Sequence, residues 1–228
     1  MHRLALFDID CTLIDAHGAG GRAIVLAIGE VYEVGGPLDG YSYHGRTDPQ
    51  IVRDLAARWG APAHRIEELV QPCLERYVEL LRGEIAEGFI EVLPGVKALL
   101  TALAMDRRVV LGLLTGNVAD GARAKLAPTG LAGLFKVVAF GSDSGIRAEL
   151  PAVAVERARA LTGQRFSGKQ IAVIGDTPAD ITCGEQLGVK TVAVATGRHT
   201  LDELATHQPD YLFASLSDWR QVYAAILA

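Results

Sequence analysis

Acidic and hydroxyl side chains follow several short apolar runs of this 228-residue chain. Asp8 and Asp10 follow the first run, Thr115 follows a later one, and Asp176 and Asp180 follow another. A single aspartate after a strand is usually a helix cap or a turn residue. Helix caps and turns do not readily explain the combination of Asp-x-Asp-x-Thr with a later Gly-Asp-x-x-x-Asp. The combination indicates that these side chains act together in one reaction.

Clustered carboxylates suit chemistry on a phosphate ester. An ordinary aspartate has a pKa of about 3.9, so Asp8 would be ionised at neutral pH and would repel a phosphate dianion. Two unit charges ~4 Å apart interact by several kcal/mol in a poorly screened site, and a divalent cation cancels this repulsion. Magnesium prefers oxygen ligands, which fits a site that contains few carboxylates and no histidine. We therefore expect Mg²⁺ as the cofactor.

The apolar runs themselves predict the fold class. Such runs suit strands buried on both faces of a parallel sheet, and segments with helical periodicity lie between them. This alternation predicts an α/β fold with a doubly wound, mostly parallel sheet, in which ligands bind beyond the carboxyl ends of the strands. The predicted strands are 4–7, 109–114, 137–140, 171–174 and 191–194, and the predicted helices between them are 118–126, 151–161 and 179–187.

Residues 15–91 interrupt this alternation. Between Ile66 and Leu81 the apolar positions recur at spacings of three and four, which is typical of one helix face. Glycines near residue 20 and Leu93-Pro94-Gly95 mark the two ends of this segment. We expect a helical cap domain at 15–91, inserted into an α/β core formed by 1–14 and 92–228.

The composition of the chain limits its possible partners and cellular location. The formal net charge of −5 and the lack of a basic stripe argue against a nucleic-acid partner. Three widely spaced cysteines do not suggest a disulfide scaffold, which favours a reducing, cytoplasmic location. No apolar stretch is long enough to be a signal peptide or to span a bilayer, so we expect no membrane partner. The sequence leaves a monomer and a homodimer both open.

The motifs together resemble the haloacid dehalogenase superfamily in its phosphatase branch. The residues that carry the resemblance are Asp8-Ile9-Asp10-Cys11-Thr12, Thr115, and Gly175-Asp176 with Asp180. Their order, and an insert directly after the first motif, are similar to the phosphoglycolate-phosphatase and β-phosphoglucomutase-like group with a helical cap. Dehalogenases of the superfamily lack the second aspartate of the first motif, so Asp10 argues against a dehalogenase.

The resemblance implies a role for each motif residue. Asp8 would be the nucleophile that forms an aspartyl-phosphate, and Asp10 would protonate the leaving alcohol and later activate water. Mg²⁺ would be held by Asp8, Asp176 and the main-chain carbonyl of Asp10, with Asp180 supporting the metal-bound waters. Thr115, Gly116 and Asn117 would bind the phosphate. Asp10 needs a proton to act as an acid, and nearby like charges favour its uncharged form.

Two positions depart from the family pattern. Cys11 stands where the family usually has glycine, which reduces backbone freedom. The family also carries a lysine before the helix that precedes the last acidic motif, whereas this region contains only Arg147. Lys97 and Lys125 lie in predicted helices, and the other three lysines lie at the opposite ends of strands. Arg147 is therefore the best candidate to replace the family's catalytic lysine. The alternative is that Arg147 lies on the surface and caps a loop.

The segment Tyr41–Asp48 resembles the substrate-specificity loop of capped relatives. His44, Arg46 and Thr47 are its candidate substrate-binding residues. We expect Asp48 to cap the next helix, with a proline in its first turn. The glycines near residue 20 lie too far from the first strand to form a dinucleotide-binding loop.

The leading hypothesis is a phosphatase acting on a small-molecule phosphate ester, with phosphoglycolate-like or sugar-phosphate substrates. A phosphomutase, which passes the phosphoryl group to another hydroxyl, is one alternative. A non-catalytic binding protein that keeps the fold is another, because the family lysine is missing.

Overall fold

The computed structural model describes residues 2–228. Its strands are β1 (Arg3–Phe7), β2 (Ile14–Asp15), β3 (Glu91–Val92), β4 (Val109–Leu114), β5 (Val137–Ala139), β6 (Ile171–Gly175), β7 (Lys190–Val194) and β8 (Tyr211–Phe213). Its α-helices are α1 (Ala19–Tyr32), α2 (Asp48–Arg58), α3 (Ala63–Glu87), α4 (Val96–Met105), α5 (Ala119–Leu126), α6 (Leu150–Thr162), α7 (Pro178–Thr182), α8 (Leu201–Ala205) and α9 (Trp219–Leu227).

Six strands form one parallel sheet in the order β5-β4-β1-β6-β7-β8. The chain first builds outward from β1 through β4 and β5, and then returns to the other side of β1 through β6. This reversal creates a crevice at the carboxyl ends of β1, β4 and β6, where ligands bind in open α/β sheets. The predicted doubly wound α/β fold is confirmed, and β8 is an edge strand that the prediction did not include.

Alternate side chains of β1 pack into two apolar layers. Ala5 and Phe7 join the layer that contains α4 and α9, whereas Leu4 and Leu6 join the layer beneath α6. All four side chains are fully buried, as expected for a central strand covered by helices on both faces. The strand ends at Phe7, so the sheet fixes the position of Asp8, which follows it directly.

The helices α1, α2 and α3 pack on one another around an apolar cluster of their own. The predicted face of α3 is buried there, including Val70, Leu74 and Leu81. At the two ends of this three-helix segment, β2 and β3 form a small antiparallel pair in which Ile14 lies opposite Val92. The inserted helical segment is therefore present, while the boundaries of a cap domain at 15–91 stay a prediction.

Two helix details differ from the sequence predictions. The N-cap of α2 is Thr47, whose hydroxyl accepts a hydrogen bond from the backbone N–H of Gln50 at 3.3 Å, so the prediction of Asp48 as the cap was wrong. The predicted helix 179–187 is divided into α7 and a single 3₁₀ turn, Glu185–Leu187. Gly184 separates them where the chain passes so close to Val189 that a Cβ would lie 2.2 Å from its side chain.

No helix of residues 2–228 combines the length and the hydrophobicity that crossing a bilayer requires.

Candidate active site

A cavity of about 140 Å³ opens at the carboxyl ends of β1, β4 and β6, beneath the three-helix segment. Most of the site residues predicted from the sequence line it together: Asp8, Asp10, His44, Arg46, Thr115, Gly116, Asn117, Arg147 and Asp176. Thr47 and Asp180 are not part of the lining. Instead, the hydroxyl of Thr47 donates to the carbonyl of Gly145 at 2.7 Å, which occupies it in loop packing.

Three buried carboxylates converge at this end of the sheet, two of them in the cavity lining and one, Asp180, just beneath it. Asp8, Asp176 and Asp180 each offer an oxygen, and these atoms lie within 4.8 Å of one another. β1 places Asp8, whose N–H donates to the carbonyl of Ile174 on β6 at 2.9 Å. Thr12 donates to Oδ1 of Asp176 at 3.2 Å. Two separate strand ends thus supply carboxylates to one point, as the sequence predicted.

Asp180 is held by the first turn of α7. Its Oδ2 accepts hydrogen bonds from the N–H and the hydroxyl of Thr177, at 3.0 and 2.6 Å. A Cβ on Gly175 would lie 2.1 Å from the carboxyl carbon of Asp180, so only glycine permits this approach. The Gly-Asp-x-x-x-Asp pattern therefore has a steric reason as well as a chemical one.

The electrostatics of this cluster fit a divalent cation. Burial, followed by repulsion from Asp180 and Asp10, raises the pKa of Asp8 to about 7 although Arg147 opposes the shift. Burial and repulsion from Asp180 and Asp8 raise the pKa of Asp176 well above its ordinary value. Three carboxylates faced by one guanidinium form an undercompensated anionic site. Oxygen-only donors in this arrangement match the ligand preference of Mg²⁺.

Arg147 lies inside the site rather than on the surface. Its side chain is only 7% exposed, and Nη2 lies 3.3 Å from Oδ1 of Asp8. The same nitrogen donates a short hydrogen bond to Oδ1 of Asp180. Nε of Arg147 is the one buried side-chain nitrogen or oxygen in residues 2–228 without a hydrogen-bond partner. The guanidinium thus borders the cavity and keeps one N–H unpaired.

Asp10 lies beside Asp8 in sequence but has different partners. Its carboxylate accepts hydrogen bonds from Nζ of Lys125 at 2.8 and 2.9 Å and from Nδ2 of Asn117 at 2.7 Å. Burial alone would raise the pKa of Asp10, but the charge and hydrogen bond of Lys125, aided by Asn117, hold it below its ordinary value. The expectation that like charges favour an uncharged Asp10 was wrong for this arrangement, because an unforeseen cation lies against it.

Thr115 and Asn117 form the wall that follows β4. The N–H of Thr115 donates to the carbonyl of Ala139, and its hydroxyl accepts from Nδ2 of Asn117 at 2.8 Å. Both side chains are buried. The Thr115 hydroxyl and the Asn117 amide therefore line the same cavity as the carboxylates.

The segment 43–48 descends from the three-helix segment onto the core. Asp48 donates its N–H to the carbonyl of Gly116 and accepts from the N–H of Val118, both at 2.8 Å. A Cβ on Gly116 would lie 2.1 Å from the carbonyl oxygen of Arg46. The glycine after Thr115 thus allows the segment to approach the phosphate-binding wall that the sequence predicted.

The two candidate substrate residues in this segment differ in their availability. The guanidinium of Arg46 is engaged by the carboxylate of Asp54 at 3.0 Å and by the carbonyl of Ser42 at 2.9 Å. The imidazole of His44 stacks on Tyr43, with ring centroids 4.7 Å apart. Burial, and then the charge of Arg198, lower the pKa of His44. An uncharged imidazole and an already paired arginine therefore face the mouth of the cavity.

Cys11 adopts the left-handed backbone conformation that glycine usually takes, with φ of 57°. Burial and the surrounding carboxylates, Asp176 first among them, raise the pKa of its thiol to about 12. A protonated thiol is a poor nucleophile. The departure from the family pattern is thus accommodated in the backbone and adds no second nucleophile.

Sequence reasoning placed Lys125 in a helix but missed its role in the site. Gly121, Ala122, Lys125 and Leu126 form the buried face of α5, so a charged residue lies at an apolar position. Burial lowers the pKa of Lys125, but Asp10, Tyr77 and Asp48 more than offset this and raise it. A lysine spaced three and four residues from buried small side chains was the signal that could have found it.

Comparison with known proteins agrees with this geometry. The model of the haloacid dehalogenase-like hydrolase family matches residues 5–194. The chain belongs to that family. The predicted resemblance is thereby confirmed.

The chain is similar to a phosphoglycolate phosphatase from Synechococcus elongatus, with 27% identity over 97% of each chain. Two solved structures share the fold. One, from Bacteroides vulgatus and described as "Putative beta-phosphoglucomutase", has a TM-score of 0.74 and 20% identity over 99% of this chain and 89% of that chain. The other, described as a predicted phosphoglycolate phosphatase from Haemophilus somnus, has a TM-score of 0.72 and 20% identity over 97% of both. Together these comparisons support a phosphatase enzyme.

Proposed function

We propose that the chain is a magnesium-dependent phosphatase that hydrolyses a small phosphate monoester through an aspartyl-phosphate on Asp8. The observation that carries the proposal is the convergence of Asp8, Asp176 and Asp180 on one point, with Arg147 against Asp8. Carboxylates alone would repel the substrate, so the site makes chemical sense only with added positive charge.

Asp8, Asp176 and the main-chain carbonyl of Asp10 would hold Mg²⁺, and Asp180 would orient its water ligands. Bound there, the ion would neutralise charge between the phosphate and the carboxylates. Arg147 would supply further positive charge beside Asp8. The Arg147 guanidinium and the Thr115 hydroxyl, which line the cavity, would hold phosphoryl oxygens, whereas the side-chain amide of Asn117 already donates to Asp10 and Thr115.

In the first half-reaction, a carboxylate oxygen of Asp8 forms a bond to phosphorus while the bond from phosphorus to the ester oxygen breaks. The leaving alkoxide takes a proton from Asp10 and departs as an alcohol. Because Lys125 favours the ionised form of Asp10 in the free protein, that proton has to arrive with the substrate. The second pKa of a phosphate monoester is near 6, so its monoanion carries such a proton.

In the second half-reaction, Asp10 accepts a proton from water as the water oxygen bonds to phosphorus. The bond between phosphorus and Asp8 breaks, which restores the Asp8 carboxylate, and inorganic phosphate leaves with the proton that Asp10 took from water, so Asp10 is ionised again. Asp10 is placed for both proton transfers because it lines the same cavity as Asp8. Docking of the segment 43–48 onto Gly116 limits the access of other water molecules during the first step.

The size of the cavity favours a small leaving group. A cavity of about 140 Å³ is smaller than the pockets that take drug-sized ligands, which favours a short phosphorylated acid or a sugar phosphate over a nucleic-acid strand. The relative from Synechococcus elongatus is a phosphoglycolate phosphatase, which supports phosphoglycolate-like substrates. We include both classes in the proposal, and place the enzyme in the cytoplasm because of its cysteine usage.

The test is release of inorganic phosphate from a panel of phosphate esters, with MgCl₂ or with EDTA. The wild-type protein should release phosphate only with the metal. Asp8→Asn should abolish release, because the amide cannot attack phosphorus, whereas the matched control Asp39→Asn, at an exposed loop position, should keep it. No turnover of any ester, including 4-nitrophenyl phosphate, would reject the proposal in favour of a non-catalytic binding protein.

The same panel separates a phosphatase from a phosphomutase. A mutase transfers the phosphoryl group to another hydroxyl, so a phosphorylated isomer would accumulate without free phosphate. Stoichiometric free phosphate and dephosphorylated alcohol are the expected products here.

A further inference from the structure

Lys125 lies buried where the core meets the three-helix segment. Its Nζ donates to Oδ1 and Oδ2 of Asp10 at 2.9 and 2.8 Å and to Oδ1 of Asn117 at 2.6 Å. Its side chain is only 5% exposed, whereas the side chain of Asp10 is 38% exposed toward the cavity. The lysine borders the same cavity, but it is far less exposed there than Asp10.

All three helices of the inserted segment approach this ammonium. Tyr77 of α3 and Asp48 of α2 line the same cavity as Lys125, and both act on its charge electrostatically. On α1, a Cβ added to Gly20 would lie 3.0 Å from Nζ. A single side chain thus connects Asp10 to every helix of the segment that covers the site.

The hydrogen-bonding capacity of Lys125 is used up by these partners. An ammonium has three N–H donors, and the two carboxylate oxygens of Asp10 and Oδ1 of Asn117 supply three acceptors. No donor remains to bind a phosphoryl oxygen, so Lys125 does not replace the family lysine at the phosphate. Any effect on the reaction has to act through Asp10 and Asn117.

We propose that Lys125 is a positioning residue that aims the Asp10 carboxyl at the leaving-group oxygen when the helical segment covers the site. The inference rests on the proposed function, because it needs Asp10 to protonate the leaving group. Without Lys125, the Asp10 side chain loses two of its three hydrogen bonds and keeps only the one from Asn117, so its carboxyl is less firmly oriented.

The dependence on the leaving group distinguishes this role from a purely structural one. An alkoxide needs a proton in order to leave, whereas a nitrophenolate is stable as an anion and does not. Positioned general acids contribute roughly 10²- to 10⁴-fold to rates. If the Asp10 carboxyl is no longer oriented toward the leaving group, hydrolysis of alkyl esters should therefore slow much more than hydrolysis of activated aryl esters.

The experiment compares kcat/KM for ethyl phosphate and 4-nitrophenyl phosphate in Lys125→Met, Asp10→Asn and the double variant. Lys125→Met should lose at least about tenfold more activity on the alkyl ester than on the aryl ester. The double variant should lose no more than Asp10→Asn, because both changes remove the same proton transfer. Lys97→Met, at an exposed position on α4, is the matched control and should behave as wild type.

Gly20→Ala keeps the lysine but presses a methyl group against Nζ, so it tests the same role if Lys125→Met fails to fold. Like Lys125→Met, Gly20→Ala should lower kcat/KM more for the alkyl ester than for the aryl ester. Equal losses on both esters, or additive losses in the double variant, would overturn the inference while the wild-type enzyme still turns over. No hydrolysis of either ester by the wild-type enzyme would reject the proposed function itself.

Discussion

Nη2 of Arg147 lies 3.3 Å from Oδ1 of Asp8, so the proposed nucleophile is paired with a cation from its own chain before any substrate arrives. The arginine stands in the region where the family pattern has a lysine. A guanidinium spreads its charge over several donors, and here one nitrogen contacts both Asp8 and Asp180. Arg147 is thus part of the acidic cluster as well as a candidate phosphate ligand.

Removing this guanidinium should destabilise the metal-free protein. Arg147→Ala leaves two buried carboxylates without their cation, and breaking a buried pair typically costs about 3–5 kcal/mol in the free energy of unfolding. Urea unfolding in EDTA measures the loss, and MgCl₂ should recover part of it because the ion neutralises the same carboxylates. Arg159→Ala removes an exposed pair with Glu156 and should change stability by less than about 1 kcal/mol. Equal stabilities for the two variants would contradict this arrangement.

The stability of the metal-free protein should fall as the pH rises toward and through neutrality. The folded-state pKa of Asp8 is raised to about 7, so folding favours its protonated form. That contribution is complete below the unfolded pKa of about 4 and disappears as the pH rises through the folded value. Asp48, whose pKa burial raises to about 6, adds a change of the same sign.

Mg²⁺ should reverse this trend, since it binds the deprotonated carboxylates. Differential scanning calorimetry with EDTA or MgCl₂ should therefore give a larger metal-induced rise in Tm at about pH 8 than at about pH 5.5. A metal effect that is absent, or equal at the two pH values, would show that the acidic cluster does not bind the ion.

Gly116→Ala should impair turnover through the segment 43–48. The added methyl group would meet the carbonyl oxygen of Arg46 at 2.1 Å, so the segment has to move away from the core. A displacement of about 1 Å at a catalytic site can cost on the order of a hundredfold in rate, so we expect at least a tenfold lower kcat/KM. Gly133→Ala is the matched control, because nothing lies within 4 Å of its added Cβ. Wild-type kinetics in Gly116→Ala would show that docking of the segment is dispensable.

The parallel sheet could be predicted because β1, β4, β6 and β7 are continuous apolar runs, which central strands buried on both faces require. The edge strand β8 is only three residues long and half-buried, so it left no such run. β2 and β3 are two residues each, and they pair with one another across 75 residues of intervening chain. Local periodicity carries no information about such distant pairing.

The acidic end of the site was predictable for the same reason, since strand ends meet at one edge of a parallel sheet. The environment of Asp10 was not. It depends on Lys125, which lies 115 residues away and reaches the site only through the packing of α5 against α3. The N-cap of α2 was missed by one residue, because Asp48 is drawn instead to the N–H of Val118 across the interface between α2 and the core.

Transfer of the phosphoryl group to Asp8 is the central claim, and a single-turnover reaction with a hydrolysed ester, quenched in acid at successive times, tests it most directly. Peptide mass spectrometry of the quenched protein should find a phosphoryl adduct on Asp8 that rises and then decays as free phosphate appears. An adduct on another residue, or free phosphate with no adduct at any time, would contradict it.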